Sequence, residues 1–223
     1  LLERVMRSPE PRARAAATRV ARHLRRELGG PLPFLRARIE DDHPRVRLEA
    51  LVALSFVPRA ESAEIALRVL RKPMDRFLDY ALTETMAALE PEWRAAVASG
   101  EPFAVQDPLG LAWVLSRTDT DVLMRLPPSE ALYEQLIERY GLETADYVRA
   151  ARGLAAMHAT DAASVLVAAI ERADAQDGGH TDHLLSGLFQ ALAEIAAADG
   201  HSPMRTLDPG APSLAPSYAR LAK

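Results

Sequence analysis

The sequence predicts an all-α fold, an α-solenoid of helical hairpin repeats with an irregular middle unit. Three observations predict it. A helix-start pattern recurs at an offset of 33 residues. Apolar side chains keep the 3.6-residue helical period through most of the chain. Aromatic residues are only 5% of the chain against 48% hydrophobic, a balance that suits close packing of helices through small side chains rather than a β-sandwich.

The offset is read from Ser8-Pro-Glu-Pro-Arg-Ala-Arg-Ala-Ala-Ala17 against Asp41-Asp-His-Pro-Arg-Val-Arg-Leu-Glu-Ala50. Pro11 matches Pro44, Arg12 matches Arg45, Arg14 matches Arg47 and Ala17 matches Ala50. Ser8 and Asp41 are expected as N-caps, each three positions before a proline that suits a first turn because its missing N–H is not needed there. After the second start, Val46, Ala50, Ala53 and Val57 set a buried stripe, Leu51 and Leu54 widen it, and Pro58 ends the helix. A partner helix, Glu61 to Arg71, carries Ile65, Ala66, Val69 and Leu70 on one face, with Glu64 and Arg68 four apart on the other.

A third unit is expected from Pro73, with Met74, Phe77, Leu78, Ala81, Leu82, Thr85, Ala88 and Leu89 in helical register and Pro91 to Ser99 as its short partner. Paired helices at this period bury their apolar faces against neighbouring repeats. Gly100, Pro102, Pro108, Gly110, Pro127 and Pro128 then break the rhythm. Ser129 is expected to cap a helix with Leu132, Leu136, Ile137 and Tyr140 on one face, stopping at Gly141. Thr144 to Met157 resumes the pattern, Thr160 to Ala173 is its partner with Thr160 as cap, and Thr181 starts a helix striped by Leu184, Leu185, Leu188, Leu192 and Ile195. The expected division is residues 1–99 as repeats, 100–143 as the irregular unit, 144–198 as further repeats, and 199–223 as a Pro/Gly-rich tail or linker.

Bulk properties exclude several classes. The net charge of -4 makes no global case for nucleic acid, although residues 1–50 hold 12 Arg and 7 acidic residues, a local +5 that leaves -9 elsewhere. With no cysteine there is no disulfide, thiolate metal site or haem attachment within these residues. No apolar run reaches the roughly 18 residues of a membrane span. Leu1-Leu2-Glu3-Arg4-Val5 reads as mid-helix, so the chain is expected to be a piece of something longer.

No constellation declares chemistry. Asp174, Asp177, His180, Asp182 and His183 could converge on a divalent ion, with His180, His183 and Asp177 the candidate ligands. The alternative is a solvated loop and helix start that collects polar residues anyway. Asp119-Thr-Asp121 fits an N-cap better than a site. Nucleophile elbows, His-Glu-x-x-His and phosphate-cradling glycine loops are absent from the sequence, so no catalytic residue and no cofactor is expected. Arg12, Arg14, Arg19, Arg22, Arg25, Arg26, Arg36, Arg38, Arg45 and Arg47 could line a phosphate groove. The competing expectation is a structural ladder, with Arg14 and Arg47 pairing with acids such as Glu10, Asp41, Asp42 and Glu49. Trp93, Trp113, Tyr80 and Phe77 are expected in the core, Met74, Met86, Met124 and Met157 as gap-fillers, and His158 as a cap.

The pattern Asp-x-x-Pro-x-Val-Arg-x-x-Ala-x-x-Ala-Leu at 41–54, with Pro11 to Ala17, resembles the HEAT repeat. The runs His43 to Ala50, Phe77 to Pro91, Asp107 to Ala112 and Leu126 to Ala131 are similar to the HEAT-repeat segment of large bacterial proteins of the Planctomycetes and Verrucomicrobia type. Those proteins join a sorbosone/glucose dehydrogenase-like β-propeller to HEAT repeats and a c-type cytochrome domain. The resemblance covers about residues 1–157 and implies an exported or periplasmic parent with this segment as a helical spacer. It transfers no haem ligand, because Cys-x-x-Cys-His is missing.

Three functions compete on this reading. The first is a non-catalytic interaction scaffold for a protein or a neighbouring domain of the same parent, with Pro11, Arg14, Asp41, Pro44 and Arg47 as structural repeat residues. The second is a nucleic-acid-binding HEAT protein of the DNA-glycosylase type using residues 1–50. The third, with only the repeat to favour it, is a subunit like the HEAT-like lyases that attach bilin pigments.

Overall fold

The structure is a computed structural model and describes residues 1–25, 27, 29–100, 103–104, 106–175 and 180–198. All regular elements among these are helical. They fall into two compact units, one spanning Leu1–Leu126 and one beginning at Pro127. The all-α solenoid class is what the described residues form, and each unit is a stack of its own helices.

Unit 1 opens with α1 (Leu2–Met6) and continues through α2 (Pro11–His23) and α3 (Leu32–Ile39), α4 (Pro44–Leu54) and α5 (Ala60–Leu67), which pack on each other, and α6 (Arg76–Ala88) and α7 (Glu90–Ser99). A 3-10 turn, Arg68–Arg71, extends α5, so the expected helix to Arg71 is α-helical only as far as Leu67. First helices stack on first helices, α2 on α4 and α4 on α6; second helices follow, α3 on α5 and α5 on α7. Alanines make this possible. Ala17 and Ala21 of α2, Ala50 and Ala53 of α4, and Ala63 and Ala66 of α5 are buried, and each lets a neighbouring backbone approach without displacing larger groups.

Between the alanines, Leu35, Ile39, Leu51, Leu54, Ile65, Leu67, Leu82 and Leu89 are fully buried in one continuous core. Each such side chain adds roughly 1.5–3 kcal/mol from apolar burial. Thr85 donates its hydroxyl to the Leu51 carbonyl at 3.1 Å, which ties α6 to α4 inside that core. The middle stretch is irregular, with α8 (Pro108–Ser116) and the four-residue α9 (Thr120–Leu123). Phe103 and Ala104 are buried ahead of α8, Ala104 in the left-handed region at φ 56°.

Unit 2 contains α10 (Glu130–Ile137), α11 (Thr144–His158), α12 (Ala162–Asp174) and α13 (Thr181–Ala198). Helix α11 is its hub and touches α10, α12 and α13. Its buried Tyr147, Val148, Ala151 and Leu154 meet a core that includes Leu136, Leu166, Ile170, Leu185, Leu188 and Leu192. Two glycines make the closest packing. A Cβ at Gly153 would fall inside the Tyr133 ring, and one at Gly187 would lie 2.6 Å from Cε2 of Tyr147. The Tyr147 hydroxyl then donates to the Arg139 carbonyl at 2.6 Å, and burial pushes this phenol above its ordinary pKa.

Several expectations are corrected. Ser8 and Asp41 are not N-caps: Glu10 caps α2 by accepting from the Arg12 N–H, and His43 caps α4 by accepting from the Arg45 N–H. The proline is N1, so the cap is the residue just before it, and Ser8 and Asp41 sit two positions further out. Asp161, not Thr160, caps α12. Phe77 and Tyr80, expected in the core, are 59% and 67% exposed, because α6 buries a narrow stripe of Leu78, Ala81, Leu82, Thr85 and Met86 and leaves both rings beside it. Tyr140 and Met157 are likewise exposed. The expected tail, 199–223, lies outside the described residues.

Candidate functional site

The repeat residues form a clasp. Arg14, one turn into α2, donates through Nη1 to the carbonyls of Ser8 and Pro9 at 2.9 and 3.0 Å. Its Nε and Nη2 make a two-pronged contact with the Asp41 carboxylate, both at 2.8 Å. Thirty-three residues on, Arg47 does the same to its own repeat: Nη1 donates to the carbonyls of Asp41 and Asp42, both at 2.9 Å. Its other arm reaches the next repeat at the Pro73 carbonyl, 2.7 Å away. Arg47 therefore bonds to backbone, not to the acids expected for it. The planar fork suits either job, because two parallel N–H groups match two carboxylate or carbonyl oxygens. Both arginines are the fourth residue of their helix; in α6 that residue is Asp79, and the series stops there.

Pro11 and Pro44 set this geometry, since each fixes the first turn from which the arginine folds back. Asp41 accepts in addition from the His43 N–H at 3.0 Å and lies 3.5 Å from Arg38. Burial alone would raise its pKa, but the Arg14 hydrogen bonds, the His43 N–H and the charges of Arg14 and Arg38 outweigh burial and hold it below the ordinary carboxylate value. Glu49 follows the same logic: burial opposes ionisation, and the Arg19 hydrogen bonds with the charges of Arg19 and Arg45 overcome it. Asp42 is lowered by its hydrogen bond from Lys72, 2.7 Å away across the repeat boundary.

These contacts place most of the Arg-rich first fifty residues. Arg14 and Arg38 face Asp41, Arg19 and Arg45 face Glu49, and Arg36 faces Glu61. Arg22 and Arg25 instead lie over the ring of Phe56, 5.3 and 5.7 Å from its centroid. Arg26 lies outside the described residues. Sequence reasoning missed what remains at the surface, a set of large apolar groups on the first helices and the turns that follow them. Phe56, just after α4, is 49% exposed, Val20 and Leu24 are exposed as well, and Arg76 lies 4.6 Å over Phe77.

His180 stacks on Tyr140 with centroids 4.2 Å apart and His183 is exposed, while Asp177 lies outside the described residues. Among the described residues no group of three or more His, Asp or Glu converges. His158, expected as a cap, is the last residue of α11 and bonds to Glu130 at 2.7 Å. Trp93 is buried and donates to the Met86 carbonyl at 3.0 Å. Asp119 is N-cap to α9, but its carboxylate accepts from Arg94 at 2.9 Å. No single helix among the described residues is long and apolar enough to cross a membrane.

Residues 1–87 match the family of HEAT repeats. The matched stretch holds α1 to α5 and most of α6, the same span that carries both clasps, and it supports a HEAT-repeat protein. No curated protein and no solved structure matches the chain.

Proposed function

We propose that the chain is a non-catalytic HEAT-repeat scaffold whose first helices in unit 1 present a docking face to a protein or a neighbouring domain. One observation carries this reading. Phe56, in the turn after α4, and Phe77 and Tyr80, on α6, stand exposed, the two phenylalanines under arginines, while Arg14 and Arg19 of α2 are taken up by Asp41 and Glu49. Aromatic rings beside arginine are the composition of binding hot spots in protein interfaces. A photoreactive residue in place of Phe77 tests it by capturing the partner in cells. The captured protein should then bind a Phe56→Ser, Phe77→Ser, Tyr80→Ser variant at least about tenfold more weakly, with helicity unchanged. Equal affinity would refute the docking face.

The resemblance to dehydrogenase-like propeller and cytochrome proteins supports, as a finer reading, a bacterial multidomain parent in which the partner is a neighbouring domain. The complete reading frame decides it: a propeller before the repeats and Cys-x-x-Cys-His after them support it, and their absence removes it.

Nucleic acid is the second reading, favoured by Arg12 and Arg25, which pair with no carboxylate among the described residues, and by the Phe56 ring under Arg25. It requires retention on duplex DNA that weakens steeply as salt rises. No retention at low salt ends it.

A further inference from the structure

Unit 1 also contains a polar cavity of about 360 Å³, on the side of the second helices, lined by Arg36, Glu64, Arg68, Arg71, Gln106 and Asp107 among others. Arg36 comes from α3, Glu64 from α5, Arg68 and Arg71 from the 3-10 turn, and Asp107 from the residue before α8. Glu64 accepts from the Ala104 N–H at 2.8 Å, which holds Ala104 at one wall. Arg71 is committed to Glu40 at 2.9 Å and Arg36 to Glu61 at 2.9 Å, each through one nitrogen. Among the described residues the Arg68 side chain has no hydrogen-bond or ion-pair partner.

Asp107 supplies the opposite half. It is only 6% exposed, and although it is the N-cap residue of α8 its side chain accepts nothing from that helix. Its Oδ2 receives no hydrogen bond from the described residues, and Arg71 Nε lies 3.4 Å away, close enough for attraction without donating. A buried acceptor left open at the wall of a polar cavity is the mark of a missing donor. Open guanidinium donors and an open carboxylate acceptor therefore line one space, whose volume is at the small end for ligand pockets.

We propose that this cavity binds a small molecule carrying one carboxylate or phosphate head and an adjacent hydrogen-bond donor. The head sits on Arg68 and Arg36, where forked N–H groups match its oxygens, and the amine or hydroxyl donates to Asp107. This site is separate from the docking face and stands or falls independently of it.

Calorimetric titration of the whole chain tests it with probes that hold both halves or one. Serine and glycerol 3-phosphate carry head and donor; acetate and inorganic phosphate carry the head alone. At least one two-part probe should bind about tenfold or more tightly than its own head alone, and which one does so tells carboxylate from phosphate. Arg68→Gln should weaken that binding about tenfold with the circular dichroism unchanged, since the Arg68 side chain bonds to none of the described residues. Asp107→Asn should remove the advantage over the head alone. Binding of neither two-part probe, equal binding of head alone, or full binding by Arg68→Gln would overturn the proposal.

Discussion

The two units solve the same problem, fixing one helix against the next, by opposite means. Unit 1 uses long charged arms: Arg14 and Arg47 each hold the turn before their own helix and reach into the following repeat. Unit 2 uses the absence of a side chain, with Gly153 and Gly187 admitting the rings of Tyr133 and Tyr147. An arm that bonds to backbone carbonyls works wherever the chain makes the same turn, so it can be copied from repeat to repeat. A notch fitted to one ring is particular to its place. The first device repeats and the second does not, which accords with a family match that ends at residue 87.

The largest effect that sharpens this contrast is expected from Arg47→Met. It keeps the bulk of a side chain 3% exposed but strips three carbonyls of their donor, and should cost about 3 kcal/mol in chemical denaturation. Arg45→Met, at a largely exposed arm, should stay within about 0.5 kcal/mol of wild type; similar losses for the two would break the distinction between clasp and surface charge.

Gly153→Ala should come next, at about 2 kcal/mol, because the overpacking penalty exceeds the helix propensity alanine gains. Adding Tyr133→Leu should recover part of the loss by vacating the notch. Hydrogen exchange should locate the change in α10 and α11, leaving α2 to α6 protected as before.

Acid separates the units further. Asp41 and Glu49 are held below their ordinary pKa values in the fold, so in acid the unfolded chain binds more protons than the folded one. Their stabilisation is fully present above the unfolded values near about 4 and is lost as pH falls through the lower folded values. Amide protection in α2 and α4 should therefore decline in that window, and Asp41→Asn should flatten the decline; protection independent of pH there would contradict the sign. Asp161→Ala should cost about 1 kcal/mol, confined to α12, since it removes the cap on the Ser164 N–H and the bond from the Ser164 hydroxyl to the same carboxylate.

Legibility in the sequence follows the same division. The match of Pro11, Arg14 and Ala17 to Pro44, Arg47 and Ala50 was readable because one local rule produced both copies, and Ala17 and Ala50 are both buried. The receiving partners were half readable. An acid opposite Arg14 could be guessed, but a carbonyl opposite Arg47 has no signature in residue type. Phe77 and Tyr80 misled because apolar character does not say how wide a buried stripe is. Gly153 and Gly187 lie in helices where glycine is unfavourable, a signal that something presses close, yet nothing local names the tyrosine. The cavity was out of reach, since Arg36, Arg68 and Asp107 share no spacing and meet only through the packing of α3, α5 and the loop before α8.

That the arginines of unit 1 are clasps rather than a phosphate groove is tested most directly by a double-mutant cycle on Arg14→Met and Asp41→Asn, read by denaturation. The clasp predicts strong non-additivity, a coupling of about 2 kcal/mol, because each change removes the same paired contact. Additive losses, within about 0.4 kcal/mol, would mean that the two residues act separately and would contradict the account.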